Sequence, residues 1–263
     1  MRHIWWVFAV LFALAGPPGA WAAGNQVPTL APDDVFLGKA DAPVTIFEYA
    51  SLTCPHCAAF DTETLPKLKT EWIDPGKAKL VFRDYPLDQS ALKAAILARC
   101  APPDRLFNFL DVLFRSQMNW AAGGDPTQAL SRIARLGGIG EAEFTKCMAD
   151  QKLADRIVAS RLVGQDQYGI ESTPTFFVNG KKVVGALPYE QFENVLTVAL
   201  ADTGAKVTPP AAASAPPSGP SSPAVNAAPA PSGPATPAEP NGWFDRMKSS
   251  LARLWASTLA YFR

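Results

Sequence analysis

A β-branched and aromatic run leads directly into a pair of closely spaced cysteines, and this junction constrains the fold more than any other feature. Residues 44–50 carry the sequence VTIFEYA, which is typical of a buried strand. The tetrapeptide Cys54-Pro55-His56-Cys57 follows, and its proline suits the first turn of a helix, where no backbone N–H is needed. The junction therefore predicts a strand that leads into a helix with two cysteines at its start.

Further patterns predict the elements around this junction. Apolar residues at helical spacing continue the helix over 57–72, where Pro66 is expected to kink or interrupt it. A strand is predicted at 79–83, and the dipeptide Asn179-Gly180 predicts a hairpin that pairs 175–178 with 181–184. The remaining predicted elements are helices, at 91–100, 104–117, 126–136, 141–148, 152–168 and 188–201. This order predicts an α/β fold with a helical insertion at about 88–168.

The N-terminal stretch differs in character from the rest of the chain. Residues 1–22 combine a basic start, a short apolar run and a small-residue cleavage site, which predicts a secretory signal peptide. An uncleaved membrane anchor is the alternative, although about 12 apolar residues fall short of the roughly 20 that a spanning helix needs. We therefore expect a protein of the periplasm or another exported compartment, whose mature folded domain covers 23–205.

Two further segments follow this domain. Residues 206–241 are dominated by proline, alanine and serine and contain no aromatic residue, which predicts a disordered linker. Residues 242–263 place aromatic and leucine side chains at helical spacings, with basic residues available to the other face, which predicts a basic amphipathic helix. That helix could lie on a membrane surface, dock on its own domain or on a second copy, or be disordered.

Charge and cysteine content narrow the class of protein. The chain has 24 basic and 24 acidic residues, a balance that does not favour nucleic acid or an acidic substrate. All four cysteines follow the signal segment, and an even count in an exported protein suggests two pairs, because disulfides persist outside the cytosol.

The spacing of Cys54 and Cys57 is that of a redox pair. Two cysteines separated by two residues can close a small disulfide and reopen it by thiolate attack. At the start of a helix the first sulfur faces unpaired amide N–H groups and the positive end of the helix dipole, which favour the thiolate. Cys54 is therefore the expected nucleophile and Cys57 the resolving thiol, while His56 can supply a donor or a positive charge near Cys54.

Three other interpretations of this pair are weaker. A zinc site would need a second close ligand pair, yet Cys100 and Cys147 stand apart and the other histidine, His3, lies in the signal segment. Covalent haem attachment would need a histidine directly after Cys57. An inert structural bridge would be an unusually tight loop. We therefore expect no metal and no cofactor.

The residues around the pair resemble a known family. The segment GKADAPVTIFEY at 38–49 and the segment CPHCAAF at 54–60 are similar to those of the DsbA family of thioredoxin-fold oxidases. The resemblance covers about residues 30–201. It implies a thioredoxin-like fold with an inserted helical domain, and a protein thiol–disulfide oxidoreductase that is a strong oxidant.

The resemblance also implies roles for residues outside the motif. Glu48 matches an acid that lies beneath the resolving cysteine and relays its proton; an exposed strand residue is the alternative. Asp61 matches another frequent acid, or is an ordinary helix-surface residue. Thr173-Pro174 matches the cis-proline loop that lies opposite the redox pair and binds the substrate backbone, with a plain trans turn as the alternative.

The other two cysteines and the partners follow from the same resemblance. Some members carry a second disulfide in the insertion, which implies a bridge between Cys100 and Cys147; two free buried thiols are the alternative. The implied partners are reduced or unfolded exported proteins and a membrane redox partner of the DsbB type. Threonine at 173 also occurs in related isomerases, so isomerase or reductase activity stays open, as does a non-catalytic chaperone or peptide-binding module.

Overall fold

A five-stranded mixed sheet organises residues 26–204, the part of the chain that the computed structural model describes. Its strands are β1 (Phe36–Leu37), β2 (Val44–Ala50), β3 (Ala78–Asp84), β4 (Thr175–Val178) and β5 (Lys181–Val184), in the spatial order β1-β3-β2-β4-β5. β2 runs parallel to β3, and the other pairings are antiparallel. The four predicted strands are confirmed, whereas β1 has only two residues and is too short to leave a sequence pattern.

Helix α1 connects the parallel strands β2 and β3 and runs continuously over 55–73. Its α-helical pieces Pro55–Ala59 and Leu65–Leu68 alternate with the π-helical turns Phe60–Thr64 and Lys69–Ile73. The helix therefore continues past Pro66, but its α-helical pattern is interrupted there by π-helical turns. Directly before the proline, the Leu65 N–H donates to the carbonyl of Phe60, five residues back, and this wider turn accommodates the proline within the helix.

Six α-helices between β3 and β4 form the insertion, together with the short 3-10 turn Pro103–Arg105. The six helices are α2 (Gln89–Cys100), α3 (Leu106–Arg115), α4 (Gln117–Trp120), α5 (Thr127–Leu136), α6 (Glu141–Met148) and α7 (Gln151–Asp166), and α8 (Tyr189–Asp202) follows β5. The predicted continuous helix at 104–117 is instead broken at Ser116. The hydroxyl of Ser116 donates to the carbonyl of Val112 at 2.6 Å, a local bond that competes with regular helix geometry.

Three phenylalanine rings hold α1 against the sheet. The ring centroid of Phe60 in α1 lies 4.5 Å from that of Phe176 in β4 and 5.3 Å from that of Phe192 in α8. All three side chains are buried, and they belong to a cluster that also contains Ile46 of β2. The next residue, Phe47, belongs to a different cluster, because successive strand residues point to opposite faces of a sheet. The packing of Phe60 fixes the helix that carries the cysteines at its start.

Several predictions concern residues at the two ends of the chain. The signal peptide at 1–22, the linker at 206–241 and the amphipathic helix at 242–263 all lie outside the described residues. Over residues 26–204, no helix is both long enough and apolar enough to cross a lipid bilayer.

Candidate active site

The two cysteines lie where β2 ends and α1 begins. Cys54 is the N-cap residue of α1, and its carbonyl accepts a hydrogen bond from the N–H of Ala58 at 3.2 Å. Pro55 occupies the first turn, as expected for a residue without a backbone N–H. Cys54 is 6% exposed, whereas Cys57 is completely buried, and both are free thiols in this structure. Of the pair, only Cys54 retains contact with solvent.

The environment of Cys54 stabilises its thiolate. The pKa of Cys54 is lowered from its ordinary value of 9.0 to about 5, chiefly by the hydrogen bond from Cys57. Burial acts in the opposite direction, while Thr173 and the backbone N–H groups of Cys57 and His56 lower the pKa further. These backbone groups are unpaired donors of the first helical turn, which favour an anion at that position. These contacts therefore favour ionisation of the Cys54 thiol at neutral pH.

The contribution of His56 differs from the expectation based on its side chain. The sequence predicts that the His56 side chain supplies a donor or a positive charge near Cys54. In the structure the imidazole is exposed, and the contribution of His56 to the lowered pKa of Cys54 comes from its backbone N–H. The position of His56 in the first turn of α1, rather than its imidazole side chain, therefore explains its contribution to the lowered pKa of Cys54.

The loop before β4 lies opposite Cys54. The Thr173-Pro174 peptide bond is cis, and the Cys54 thiol donates a hydrogen bond to the carbonyl of Thr173 at 3.3 Å. The hydroxyl of Thr173 is buried and forms no other hydrogen bond, so it is available to the Cys54 sulfur, whose pKa the Thr173 side chain lowers. When Cys54 ionises, its bond to the carbonyl is lost, and this hydroxyl can donate to the thiolate instead.

Cys57 and Glu48 form the buried side of the site. The pKa of Cys57 is raised well above its ordinary value by burial first and then by the neighbouring Cys54 and Glu48. Glu48 in β2 is 2% exposed, and burial, with a smaller contribution from Asp61, raises its pKa as well. Its Oε1 atom has no hydrogen-bond partner. The charge of Glu48 affects the pKa of the Cys57 thiol, so the two groups lie near one another on this buried side.

Asp61 lies in the π-helical turn of α1 and is 7% exposed. Burial first, and then the charge of Asp111, raise the pKa of Asp61 to about 7, while Arg115 lowers it. The alternative of an ordinary helix-surface residue is therefore wrong for Asp61. Asp61 follows the buried Cys57 by four residues, so the two side chains lie on the same face of α1.

The insertion holds the loop between β2 and α1 through two side chains that sequence reasoning missed. Asp88, the N-cap residue of α2, accepts a hydrogen bond from the hydroxyl of Thr53 at 2.7 Å. The buried amide of Gln117 donates to the carbonyls of Leu52 and Cys54 at 2.8 and 3.0 Å. An N-cap aspartate before α2 leaves a sequence signal, but nothing in the sequence indicates its second role or that of Gln117.

The other cysteine pair lies within the insertion. Cys100 at the end of α2 and Cys147 in α6 form a disulfide, with their Cα atoms 6.1 Å apart. The bond joins two helices of the insertion and includes neither Cys54 nor Cys57. Within the described ranges, no group of three or more histidine, cysteine, aspartate or glutamate side chains could hold a metal ion.

Comparison with known proteins assigns the family. The family model described as thioredoxin matches residues 30–197. The chain belongs to the thioredoxin family. Among solved structures, this thioredoxin-family chain is similar to alpha-DsbA1 of Wolbachia pipientis, with 35% identity and a TM-score of 0.63. The match covers 67% of this chain and 94% of that one, so the two chains share the DsbA-type fold.

Two curated relatives of this thioredoxin-family chain carry functional names. It is 34% identical over 149 residues to a putative protein-disulfide oxidoreductase of Rickettsia bellii, covering 56% of this chain and 58% of the relative. It is 27% identical over 168 residues to disulfide bond formation protein D of Bacillus subtilis, covering 61% of this chain and 74% of that protein. The chain thus spans less than two thirds of the Rickettsia relative.

Proposed function

We propose that this chain is an exported protein thiol–disulfide oxidoreductase that introduces disulfides into other exported proteins. The observation that carries the proposal is the opposite behaviour of the two thiols. The pKa of Cys54 is lowered to about 5, while that of the buried Cys57 is raised. A thiolate that is stable at neutral pH is a good leaving group, and it favours the reduced enzyme over the oxidised one. The disulfide of such a pair tends to be passed to a substrate.

The proposed reaction begins from the Cys54–Cys57 disulfide. A substrate thiolate attacks the sulfur of Cys54, the intramolecular S–S bond breaks, and a mixed disulfide forms between substrate and Cys54. The sulfur of Cys57 leaves with the electron pair of that bond and takes up a proton, because its pKa is raised. In this proposed scheme Glu48, whose own pKa is raised by burial, supplies the proton.

A second substrate thiolate completes the transfer. It attacks the substrate sulfur of the mixed disulfide, so that the substrate gains a disulfide and Cys54 leaves as the stabilised thiolate. The substrate loses two electrons and the enzyme pair gains them. Another protein must then accept two electrons to restore the Cys54–Cys57 bond, and a membrane redox partner of the DsbB type would suit this step.

The cis peptide bond at Thr173-Pro174 supports the binding part of the proposal. The Thr173 carbonyl lies at the Cys54 sulfur, so the backbone beside it borders the position of a mixed disulfide. An extended substrate segment can pair its backbone with such a loop, which gives affinity without requiring one sequence. This arrangement suits an enzyme that acts on many unfolded chains.

The test is the oxidation of a reduced, unfolded protein by a stoichiometric amount of the oxidised chain. We expect substrate thiols to disappear as the chain becomes reduced, and the Cys54→Ser variant to transfer nothing. Rapid reshuffling of scrambled disulfides by the reduced chain, without net oxidation, would instead favour an isomerase. Unchanged binding of unfolded protein by Cys54→Ser, with no turnover in the wild type, would favour a non-catalytic module.

We also propose that the chain is exported and that its C-terminal segment associates with a membrane surface. The signal-like composition of residues 1–22 and the basic amphipathic pattern of residues 242–263 support this. The test is flotation with anionic phosphatidylglycerol vesicles, comparing the full chain with one that ends at Ala205. We expect only the full chain to float, and equal behaviour of the two would contradict membrane association.

A further inference from the structure

A buried glutamine joins the helical insertion to the redox centre. Gln117 begins the short helix α4 and is 5% exposed. Its Nε2 atom donates to the carbonyl oxygen of Leu52 at 2.8 Å and to that of Cys54 at 3.0 Å. Both hydrogens of the amide are therefore directed at the loop between β2 and α1, which fixes the position of Gln117 relative to Cys54.

The two bonds act on the electrostatics around the sulfur. The carbonyl oxygen of Cys54 belongs to the same residue as the thiolate, and its partial negative charge opposes an anion there. It accepts one bond from the Ala58 N–H at 3.2 Å, and the bond from Gln117 is its second. An amide N–H directed at a carbonyl offsets part of that negative charge, and such effects are strong in a poorly solvated site.

The same bonds also hold the geometry of the helix start. The Cys54 sulfur benefits from the backbone N–H groups of His56 and Cys57 only while it lies over the first turn of α1. Gln117 restrains the backbone of Cys54 from one side, and Thr53 is restrained by Asp88 from the same insertion. Loss of the glutamine amide would leave the Leu52 carbonyl without its donor and give the loop freedom to shift.

We propose that Gln117 is a positioning residue that favours the Cys54 thiolate by holding the Leu52 and Cys54 carbonyls, so that the helical insertion tunes the redox pair. This inference rests on the proposed function, in which Cys54 is the nucleophile. It assigns to α4 a part in setting how oxidising the redox pair is, through hydrogen bonds from Gln117 to two backbone carbonyls.

The test compares two substitutions on α4. Gln117→Met keeps the length of the side chain and removes both donors. Trp120→Phe is the matched control, because Trp120 is also buried and its indole N–H donates to the Leu113 carbonyl at 2.8 Å, within the insertion. The readout is the alkylation of Cys54 by iodoacetamide in the reduced full chain at pH 4, followed by mass spectrometry. Below the pKa of about 5, this rate is proportional to the thiolate fraction.

We expect Gln117→Met to slow the alkylation of Cys54 about threefold or more and to make the pair less oxidising in equilibrium with glutathione. Trp120→Phe should change neither quantity. Gln117→Glu, which keeps the shape but cannot present two donors, should slow alkylation as well, and it provides the test if the methionine variant does not fold.

Two results would overturn the inference. The first is an unchanged alkylation rate in whichever glutamine variant folds, and the second is an equal change in Trp120→Phe, which would reflect general loosening of α4. The wild-type rate separates this inference from the proposed function. A wild-type Cys54 that alkylates like an ordinary thiol would contradict both, whereas a reactive wild-type Cys54 that is insensitive to Gln117 contradicts only the role of the glutamine.

Discussion

The sulfur of Cys54 lies 3.3 Å from the carbonyl oxygen of Thr173, although the two residues are 119 positions apart in the chain. The antiparallel pairing of β2 with β4 produces this contact, because Tyr49 near the end of β2 faces Thr175 at the start of β4. One loop leads from β2 to Cys54, and the other leads from Thr173 into β4. The two loops therefore meet at the same end of these two strands.

The buried hydroxyl of Thr173 leads to a first prediction. Thr173→Val removes the donor available to the Cys54 thiolate, so we expect the pKa of Cys54 to rise by about half a pH unit or more. Thr175→Val is the control, because the hydroxyl of Thr175 is buried but donates to the Ser172 carbonyl at 2.7 Å. The measurement is thiolate absorbance in the ultraviolet as a function of pH. Identical titrations of wild type and Thr173→Val would show that the hydroxyl has no such role.

The lowered pKa of Cys54 predicts a pH-dependent stability of the reduced protein. The folded thiol ionises at about 5 and the unfolded one near 9.0, so between these values the unfolded state binds more protons. The stabilisation is therefore fully present above about pH 9 and is lost as the pH falls towards 5. Thermal unfolding of the reduced protein should show this loss, and reduced Cys54→Ser should not. If the melting temperatures of reduced wild type and reduced Cys54→Ser changed equally with pH, the prediction would be contradicted.

The raised pKa of Glu48 predicts the opposite dependence of protein stability on pH. Burial raises its pKa in the folded state, so folding favours the protonated carboxyl and the protein loses stability as the pH rises above about 4.5. We expect Glu48→Gln to remove this loss, so that at neutral pH the oxidised variant has a higher free energy of unfolding than the oxidised wild type, by a margin that shrinks towards pH 4.5. Glu63→Gln is the control, because Glu63 is an exposed carboxylate of α1. Chemical unfolding of the oxidised proteins at several pH values measures the difference, and an effect that does not vary with pH would exclude this explanation.

The Cys100–Cys147 disulfide predicts a separate contribution to stability. It closes a segment with a sequence separation of 47, for which the chain-entropy model gives about 4 kcal/mol. We expect Cys100→Ala/Cys147→Ala to lose up to that amount of unfolding free energy, measured by denaturant titration. The two helices that the bond joins should also exchange their amide hydrogens faster. Equal unfolding free energies for the variant and the wild type would show that the bond does not stabilise the fold.

Local sequence patterns predicted much of the fold because the relevant signals lie within a few residues of one another. The strand β2, the helix start at Pro55 and the hairpin around Asn179 all follow from neighbouring residues. Asn179 and Gly180 both have positive φ, at 45° and 88°, as the tight turn requires. The break at Ser116 was missed because a serine hydroxyl can bond its own helix without interrupting it.

Contacts between segments that are distant in the chain cannot be predicted from such local patterns. Gln117 lies 63 positions from Cys54 and Asp88 lies 35 positions from Thr53, so their bonds exist only once the insertion has folded against the first helix. Burial of Asp61 likewise depends on the insertion, whose residues Asp111 and Arg115 lie close enough to affect its pKa. The roles of Glu48 and Thr173 could be predicted only from the resemblance to the DsbA family, because a single glutamate in a strand or threonine in a turn has no sequence signature of its own.

The most direct test of the account is the redox equilibrium of the Cys54–Cys57 pair with glutathione. A thiolate stabilised as strongly as that of Cys54 should make the pair clearly more oxidising than thioredoxin, with a potential less negative than about −200 mV. The fraction of reduced protein can be followed by mass spectrometry after alkylation, at a series of glutathione ratios. A potential near that of thioredoxin, about −270 mV, would contradict the proposal that this chain donates disulfides.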